Sequence, residues 1–317
     1  MRLGESDTWL SPIGLGTWQF SQGRGLVGKF WPRLDWALIL SIVEESLNHG
    51  VNWFDTAEVY GKGRSEEVLG QAMRELDVSL DTALIATKWW PLWRTAPHLE
   101  RSVPGRLAAL GQWPITLYQV HQPYSRSTIA QQMESMARLL DRGLIKHAGV
   151  SNFSLRQMRE AHRALKSHGH RLVSNQVRYH LLDRRIESNG ILAAAEDLGM
   201  SIIAYSPLAQ GLLSGKFHEN QRVPWGMRKL DSHFRLAYIN RTRSFIDVLQ
   251  SIAENYQVTP AQVALNWIIT RSGGRILAIP GAMRVSQAVQ NAGAMGWSLS
   301  KSDHQALDHE SSRVVVR

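Results

Sequence analysis

Short apolar runs rich in β-branched and aromatic residues recur along the chain and alternate with stretches of helical periodicity. Runs of this length and composition, bounded by turn residues, are typical of buried strands. Eight of them occur, at residues 13–18, 51–57, 83–90, 115–122, 147–152, 172–179, 201–208 and 276–281. Between the first two runs, apolar residues share one helical face: Ile39, Ile42, Val43 and Leu47. The pattern predicts a strand–helix unit repeated along the whole chain.

Polar residues mark where several of the helices should begin. Ser154 stands three residues before Gln157, and Thr259 stands three residues before Gln262. This spacing predicts a capping box, in which each side chain bonds to the backbone of the other residue. Ser65 precedes a helical stretch with two acids in its first turn, where the helix dipole favours negative charge.

Eight strand–helix units imply parallel strands joined by crossover helices. A doubly wound sheet and a (β/α)8 barrel both satisfy the pattern, and eight units in a chain of 317 residues favour the barrel. Since no linker or compositional break divides the chain, we predict one α/β domain over residues 1–317, with a possible N-terminal hairpin. Two segments exceed what the barrel needs, residues 19–35 after strand 1 and 209–240 after strand 7; such long loops are often functional.

Polar side chains stand at the ends of most of the predicted strands, where barrel enzymes have their active sites. They are Asp55, Lys88, His121, Ser151, Asn152, Gln176 and Tyr205, with Tyr60 in the loop after strand 2. Each could be structural by itself, but their joint placement favours a site. Because a lone charge in an apolar strand is costly to bury, we predict that Asp55 and Lys88 form an ion pair.

These residue types suit proton delivery to a carbonyl oxygen. A phenol has an ordinary pKa of about 10, and a neighbouring ammonium group stabilises its anion. We therefore expect Lys88 to lower the pKa of Tyr60 towards the range of general acid–base catalysis, while Asp55 holds Lys88 in place. His121 could donate a hydrogen bond to the same oxygen. Positioned proton transfer of this kind typically accelerates a reaction by about 10²–10⁴-fold.

The motifs GLGTW, FDTAEVYG, ATK, GVSNF, NQVRY, YSPLAQGLLSGK and IPGAM with QAVQN occur in the order found in the aldo-keto reductases, with a histidine after strand 4. From about Ile13 to Trp297 the chain resembles that family. The resemblance implies a (β/α)8 barrel that reduces aldehydes or ketones with NADPH, without metal or flavin. It places the family's catalytic tetrad on Asp55, Tyr60, Lys88 and His121.

The resemblance also implies cofactor contacts. It places Ser151, Asn152 and Gln176 at the nicotinamide carboxamide, and Tyr205 against the nicotinamide ring. The remaining implied contacts are Gly16, Thr17, Trp18, Asp55, Ser206, Leu208, Gly211, Leu213, Lys216, Gly281, Met283, Arg284, Gln287, Gln290 and Asn291.

Two positions depart from the family pattern. Met283 stands where relatives often carry a basic residue, and Arg284 follows it. Arg284 could reach the 2′-phosphate, so we expect NADPH to be preferred over NADH. Tyr124 stands where the family often has an acid, away from the chemical centre, and we expect little effect there.

Aromatic residues are the candidates for the substrate pocket. Trp18 after strand 1, Trp89 beside Lys88, and Phe30 or Trp31 in the first loop would wall it, next to Tyr60 and His121. Such walls favour a planar or hydrophobic carbonyl compound. The basic segment 218–235 could close over the cofactor or admit an acidic substrate, and the sequence leaves both readings open.

The composition narrows the location and the partners. With no cysteine, the chain has no disulfide or thiolate metal site and matches a reducing compartment. The N-terminus lacks the apolar stretch of a secretion signal, and no window of about 18 apolar residues suggests a membrane span. We therefore expect a cytoplasmic protein without a membrane partner. The net charge of +9 is spread along the chain rather than gathered in a stripe, so we expect no nucleic-acid partner. The resemblance implies a small-molecule carbonyl substrate instead.

Two functions other than carbonyl reduction were considered. A cofactor-sensing regulatory or binding barrel with little turnover could keep the same tetrad, and it remains the alternative. A metal-dependent barrel hydrolase is disfavoured because the strand ends lack the cluster of histidines and carboxylates that such chemistry needs.

Overall fold

In the computed structural model, which describes residues 1–219 and 232–314, eight parallel strands follow one another in sequence order around a single sheet. They are β1 (Leu15–Gly16), β2 (Trp53–Asp55), β3 (Leu84–Trp89), β4 (Ile115–Val120), β5 (His147–Ser151), β6 (Leu172–Arg178), β7 (Ser201–Tyr205) and β8 (Ile276–Ile279). Parallel bridges from Ile13 to Ala278 and from Gly16 to Gly281 join the first strand to the last. The predicted (β/α)8 barrel is confirmed, with each predicted run containing one strand.

Helices follow the strands and cover the outside of the barrel. They are α1 (Gly25–Gly28), α2 (Trp36–Asn48), α3 (Arg64–Glu75), α4 (Ala96–Ala109), α5 (Ile129–Asp141), α6 (Leu155–Ser167), α7 (Arg185–Ser188), α8 (Ile191–Asp197), α9 (Lys216–Glu219), α10 (Leu236–Arg241), α11 (Arg243–Asn255), α12 (Pro260–Ile269), α13 (Val285–Ala292) and α14 (Lys301–Val314). No helix within the described residues is long and apolar enough to cross a membrane.

The capping boxes before α6 and α12 are confirmed, with Ser154 paired to Gln157 and Thr259 paired to Gln262. The two acids predicted in the first turn of the helix at Ser65 are confirmed, because Glu66 and Glu67 lie in the first turn of α3. This helix begins at Arg64, after Gly63 at φ +89°, so Ser65 lies within its first turn. The Ser65 hydroxyl is buried and donates to the Thr17 carbonyl.

The core has two layers. An outer layer fills the space between strands and helices, and an inner layer of side chains such as Leu117 and Ile203 fills the barrel. The predicted N-terminal hairpin is present, with an antiparallel bridge between Arg2 and Trp9, and it adds Leu3 and Leu10 to the inner layer. The hairpin closes the end of the barrel where strands begin, because the Gly4 amide donates to the hydroxyl of Ser201, the first residue of β7. Only the opposite end is left for a site.

The two long loops lie at that opposite end. The loop after β1 contains a short 3-10 helix, Trp18–Ser21, and α1. The segment after β7 contains 3-10 helices at Ala209–Ser214 and Ser232–Phe234, together with α9 and α10. Residues 220–231 of the predicted loop 209–240, and hence most of the basic segment 218–235, lie outside the described residues.

Candidate active site

An ion pair lies at the carboxyl ends of β2 and β3. The Lys88 ammonium nitrogen is 2.5 Å from Oδ1 of Asp55 and also donates to the Thr56 carbonyl at 2.8 Å. Both side chains are fully buried, and Oδ2 of Asp55 accepts from the Gln176 amide at 2.9 Å. Burial alone would lower the pKa of Lys88, but attraction to Asp55 and Tyr60 outweighs it and raises the pKa. The predicted pair is confirmed, and Lys88 is held charged.

Tyr60 lies over this pair, in the loop that follows β2. The Lys88 ammonium nitrogen is 5.0 Å from the centre of the Tyr60 ring, and Trp18 stacks on the ring at 6.1 Å. The expected direction of the pKa of Tyr60 is wrong. Burial raises it above the ordinary phenol value, and the lowering by Lys88 is the smaller effect. The phenol therefore keeps its proton throughout the neutral range.

His121 follows β4 and meets Tyr60 edge to face, with ring centres 5.7 Å apart. Burial, and then the charge of Lys88, hold the pKa of His121 well below its usual value, so the ring is neutral. Its Nδ1 is buried and has no hydrogen-bond partner in the described part of the chain. The structure thus brings Asp55, Tyr60, Lys88 and His121 together at one side of the barrel mouth.

A cleft of about 450 Å³ runs from Tyr60 and His121 across the barrel mouth to the start of α13. At the barrel centre the Tyr205 hydroxyl donates to Oδ1 of Asn152 at 3.0 Å, and the Asn152 amide donates to the His121 carbonyl at 3.2 Å. Ser151 and Gln176 line the same part of the cleft. Amide and hydroxyl groups of this kind can both donate to and accept from a carboxamide.

The loop after β7 forms a second wall with an unusual backbone. Ser206, Ala209 and Gln210 have φ values of +50°, +48° and +55°, and Gly211 has +100°. Left-handed backbone is costly for residues with a Cβ and persists where the surroundings enforce it, often beside a ligand. Ser206, Leu208, Gly211 and Lys216, which were predicted as cofactor contacts, line the cleft. Leu213 does not line it, since its side chain is fully buried in the core.

The far end of the cleft is built around the start of α13. Arg284 is the N-cap residue of that helix and is exposed, and the Met283 amide donates to the Gln287 side chain at 2.8 Å. The remaining predicted residues of this region also line the cleft: Gly281, Gln290 and Asn291. A helix N-terminus beside a cationic side chain such as that of Arg284 suits a phosphate group. The cleft thus has amide groups and an aromatic ring at one end and a cation at the other, an arrangement that fits a nicotinamide dinucleotide.

Comparison with known proteins gives the family. The model of the "Aldo/keto reductase family" matches residues 12–311. The chain belongs to the aldo-keto reductase family. It is 37% identical over 298 residues to an uncharacterized oxidoreductase of Mycobacterium bovis, covering 94% of this chain and 88% of that protein.

Solved structures of this family share the fold. The glycerol dehydrogenase of Gluconobacter oxydans matches with a TM-score of 0.86 at 29% identity, over 99% of this chain and 95% of that one. An aldo/keto reductase from Klebsiella pneumoniae, solved in complex with NADP and acetate, matches with a TM-score of 0.72 at 27% identity, over 95% of this chain and 91% of that one. The resemblance stated from the sequence motifs is confirmed.

The end of the cleft at Tyr60, where the substrate pocket was predicted, is lined by aromatic and β-branched side chains. Trp18 and Trp31 line the cleft, and Phe30 stacks behind Trp18 with ring centres 4.8 Å apart. Trp89 does not line it, and that prediction is wrong: its side chain is fully buried in the outer core and its indole donates to Nδ1 of His98. Trp90 faces the cleft instead, because successive side chains of an extended segment point to opposite sides and Lys88 points inward.

Among the lining residues that the sequence analysis missed, Trp90 and Arg178 are two for which a signal was present. Trp90 is two positions beyond Lys88, and Arg178 is two positions beyond Gln176. In an extended strand, residues two apart share a face. Counting two residues on from Lys88 and from Gln176 would have placed Trp90 and Arg178 at the barrel mouth as well.

Proposed function

We propose that this aldo-keto reductase reduces an aldehyde or ketone to an alcohol with NADPH, and that Tyr60 supplies the proton. The observation that carries the proposal is the placement of Tyr60, above the buried Asp55–Lys88 pair and against His121, at one end of the cleft. The cofactor, when bound, supplies a hydride to the carbonyl carbon. The residues of the chain then have to protonate the oxygen.

The proton moves from the Tyr60 hydroxyl to the carbonyl oxygen as that oxygen gains negative charge. A raised pKa suits this role, since the phenol remains protonated at neutral pH. The charged Lys88 stabilises the phenolate that is left, and the phenolate regains a proton from solvent before the next cycle. Neutral His121 orients the carbonyl by donating a hydrogen bond from Nε2, because its Nδ1 is buried.

The chain's own groups would hold the cofactor in the following way. Ser151, Asn152 and Gln176 would bind the carboxamide, and Tyr205 would support the nicotinamide ring. Arg284 is exposed at the start of α13, where a guanidinium can form two hydrogen bonds to a 2′-phosphate. This position supports a preference for NADPH over NADH. The Klebsiella pneumoniae protein with bound NADP supports the same class of cofactor.

The substrate end favours a planar or hydrophobic carbonyl compound. Trp18, Trp31 and Trp90 supply flat apolar walls, and Val27 and Val59 also line the cleft. Burial of a substrate's aromatic ring between such walls favours binding, and the walls fix the plane of that ring relative to Tyr60. We therefore propose aromatic aldehydes as the first compounds to assay.

The test is a steady-state assay of NADPH absorbance with a panel of aromatic and aliphatic aldehydes and ketones, repeated with NADH. We expect sustained NADPH consumption, faster with aromatic aldehydes than with short aliphatic ones, and weaker use of NADH. Tight NADPH binding without consumption by any compound of the panel would contradict the proposal and favour a cofactor-sensing barrel.

A further inference from the structure

Arg178 is a cation at the barrel mouth that the proposed reaction does not use. It ends β6, two residues after Gln176, so both side chains point to the barrel interior and Arg178 lies nearer the mouth. Its register partner on β7 is Tyr205, and its guanidinium carbon lies 5.9 Å from the centre of the Tyr205 ring. Arg178 is half-buried and lines the cleft.

The charge of Arg178 is not balanced by a neighbour in the described residues. No carboxylate there lies within ion-pair distance of its guanidinium. The nearby acid on the same side of the barrel, Asp183, is fully engaged, because its two carboxylate oxygens accept from Arg185 at 2.8 and 2.6 Å. A half-buried guanidinium without a counter-ion is a favourable binding site for an anion.

A second cavity of about 260 Å³ opens beside the cleft, and Arg178 lies in the wall between the two. Ser206 and Gln210 line both spaces as well, whereas His180 and the Arg185–Asp183 pair line only the second. The Leu182 amide donates to Nδ1 of His180 at 3.2 Å, which leaves Nε2 as the protonated nitrogen of the neutral ring. Burial lowers the pKa of His180 to about 3, and Arg178 adds to that effect. The second cavity therefore offers hydrogen-bond donors and excess positive charge.

We propose that Arg178 and this second cavity bind an anionic group, a carboxylate or a phosphate, carried by the carbonyl substrate. The proposal rests on the proposed reduction and names the class of substrate for it. A guanidinium can bind either anion through two parallel hydrogen bonds, and the neutral His180 can add a further donor.

The position of Arg178 also restricts where the anionic group lies on the substrate. Tyr60 follows β2 and Arg178 ends β6, and these strands are opposite one another in an eight-stranded barrel. The carbonyl and the anionic group must therefore lie at opposite ends of the substrate. An aromatic aldehyde with a carboxylate in the para position meets this condition and also fits the tryptophan walls, whereas a small 2-oxo acid does not.

The test compares 4-carboxybenzaldehyde with its neutral methyl ester in the wild type, Arg178→Gln and Arg178→Lys. We expect Arg178→Gln to lower kcat/KM for the carboxylate at least about tenfold, the usual effect of losing a hydrogen bond to a charged group. The same variant should leave kcat/KM for the ester nearly unchanged, and Arg178→Lys should recover part of the loss. Arg126→Gln is the matched control. It removes a loop arginine that stacks on Trp93 and lines neither cavity, so it should not discriminate between the two compounds.

Three results would overturn the assignment. The first is an equal loss of kcat/KM for both compounds in Arg178→Gln. The second is weaker NADPH binding in that variant, measured by fluorescence titration, which would show that Arg178 holds a phosphate of the cofactor. The third is a wild type that reduces the ester but not the carboxylate. Reduction of the ester by the wild type tests the proposed function separately, so the two failures are distinguishable.

Discussion

The Tyr60 hydroxyl is subject to two opposing effects. Burial raises its pKa, and the Lys88 ammonium, kept charged by Asp55, lowers it to a smaller extent. The first effect keeps the phenol protonated at neutral pH, and the second stabilises the anion that forms once the proton has left. A general acid needs both properties in succession. Lys88 therefore matters most after the transfer has begun.

Replacement of Lys88 by Met tests this role. The pKa of Tyr60 should rise further because the lowering effect of the Lys88 charge is lost, so the alkaline limb of the kcat/KM profile should move to higher pH. The rate at neutral pH should fall by about 10²–10⁴-fold, as the phenolate is no longer stabilised. The measurement is a pH–rate profile, with NADPH titration and circular dichroism as controls for folding. An unchanged rate with an unshifted limb would remove Lys88 from the mechanism.

Arg284 is the residue that we propose determines the preference for NADPH over NADH. Arg284→Ala should weaken NADPH binding by at least about tenfold, the effect of losing charge-assisted hydrogen bonds to a phosphate, and should leave NADH binding nearly unchanged. Fluorescence titration with both nucleotides measures the difference. If the two affinities fall equally, Arg284 does not contact the 2′-phosphate.

At the scale of elements, a buried carboxyl connects α3, β3 and α4. Glu66 is fully buried on α3, accepts from the Thr87 hydroxyl at 2.6 Å and lies 3.1 Å from the guanidinium of Arg106. Burial raises the pKa of Glu66 to about 7, although Arg106 opposes the shift. Thr87 is next to Lys88 on β3, so this contact connects the helix after Tyr60 to the strand of the ion pair. The strength of the contact between Glu66 and Thr87 should depend on pH.

Glu66→Gln should change the pH dependence of stability. The folded pKa of about 7 lies above the unfolded value of about 4.3, so the folded state binds the proton more tightly. The contribution of Glu66 to stability is complete below about pH 4 and is lost as the pH rises to about 7. The free energy of unfolding should therefore fall more steeply over this range in the wild type than in Glu66→Gln. Urea unfolding at several pH values measures the slopes, and parallel slopes would contradict the shifted pKa.

The sequence predicted helix starts correctly where the interacting residues are close together along the chain. Ser154 and Thr259 marked helix starts because a capping box involves residues only three positions apart. The Ser65 hydroxyl, by contrast, donates to the Thr17 carbonyl, a partner 48 residues away, and no local pattern predicts this contact. Trp89 was assigned to the cleft by its position beside Lys88, although the alternation along β3 sends it to the outer core and Trp90 to the cleft.

At the scale of the whole molecule, closure of the barrel makes the site. Strand order places Asp55, Lys88 and His121 at the carboxyl ends of the consecutive strands β2, β3 and β4, and for that reason the sequence predicted that they lie close together. The distance from Lys88 to Tyr60, the burial that raises the pKa of Tyr60, and the second cavity beside Arg178 arise from packing among distant segments. No motif in the sequence carries these properties, and they required the structure.

The central claim is that the Tyr60 hydroxyl protonates the substrate oxygen, and Tyr60→Phe tests it most directly because only that oxygen is removed. The measurement is NADPH consumption by the wild type and the variant with one neutral aromatic aldehyde, together with NADPH affinity by titration. The account predicts a rate loss of at least about 10²–10⁴-fold with unchanged NADPH affinity. A variant that binds NADPH normally and reduces the aldehyde at the wild-type rate would contradict it.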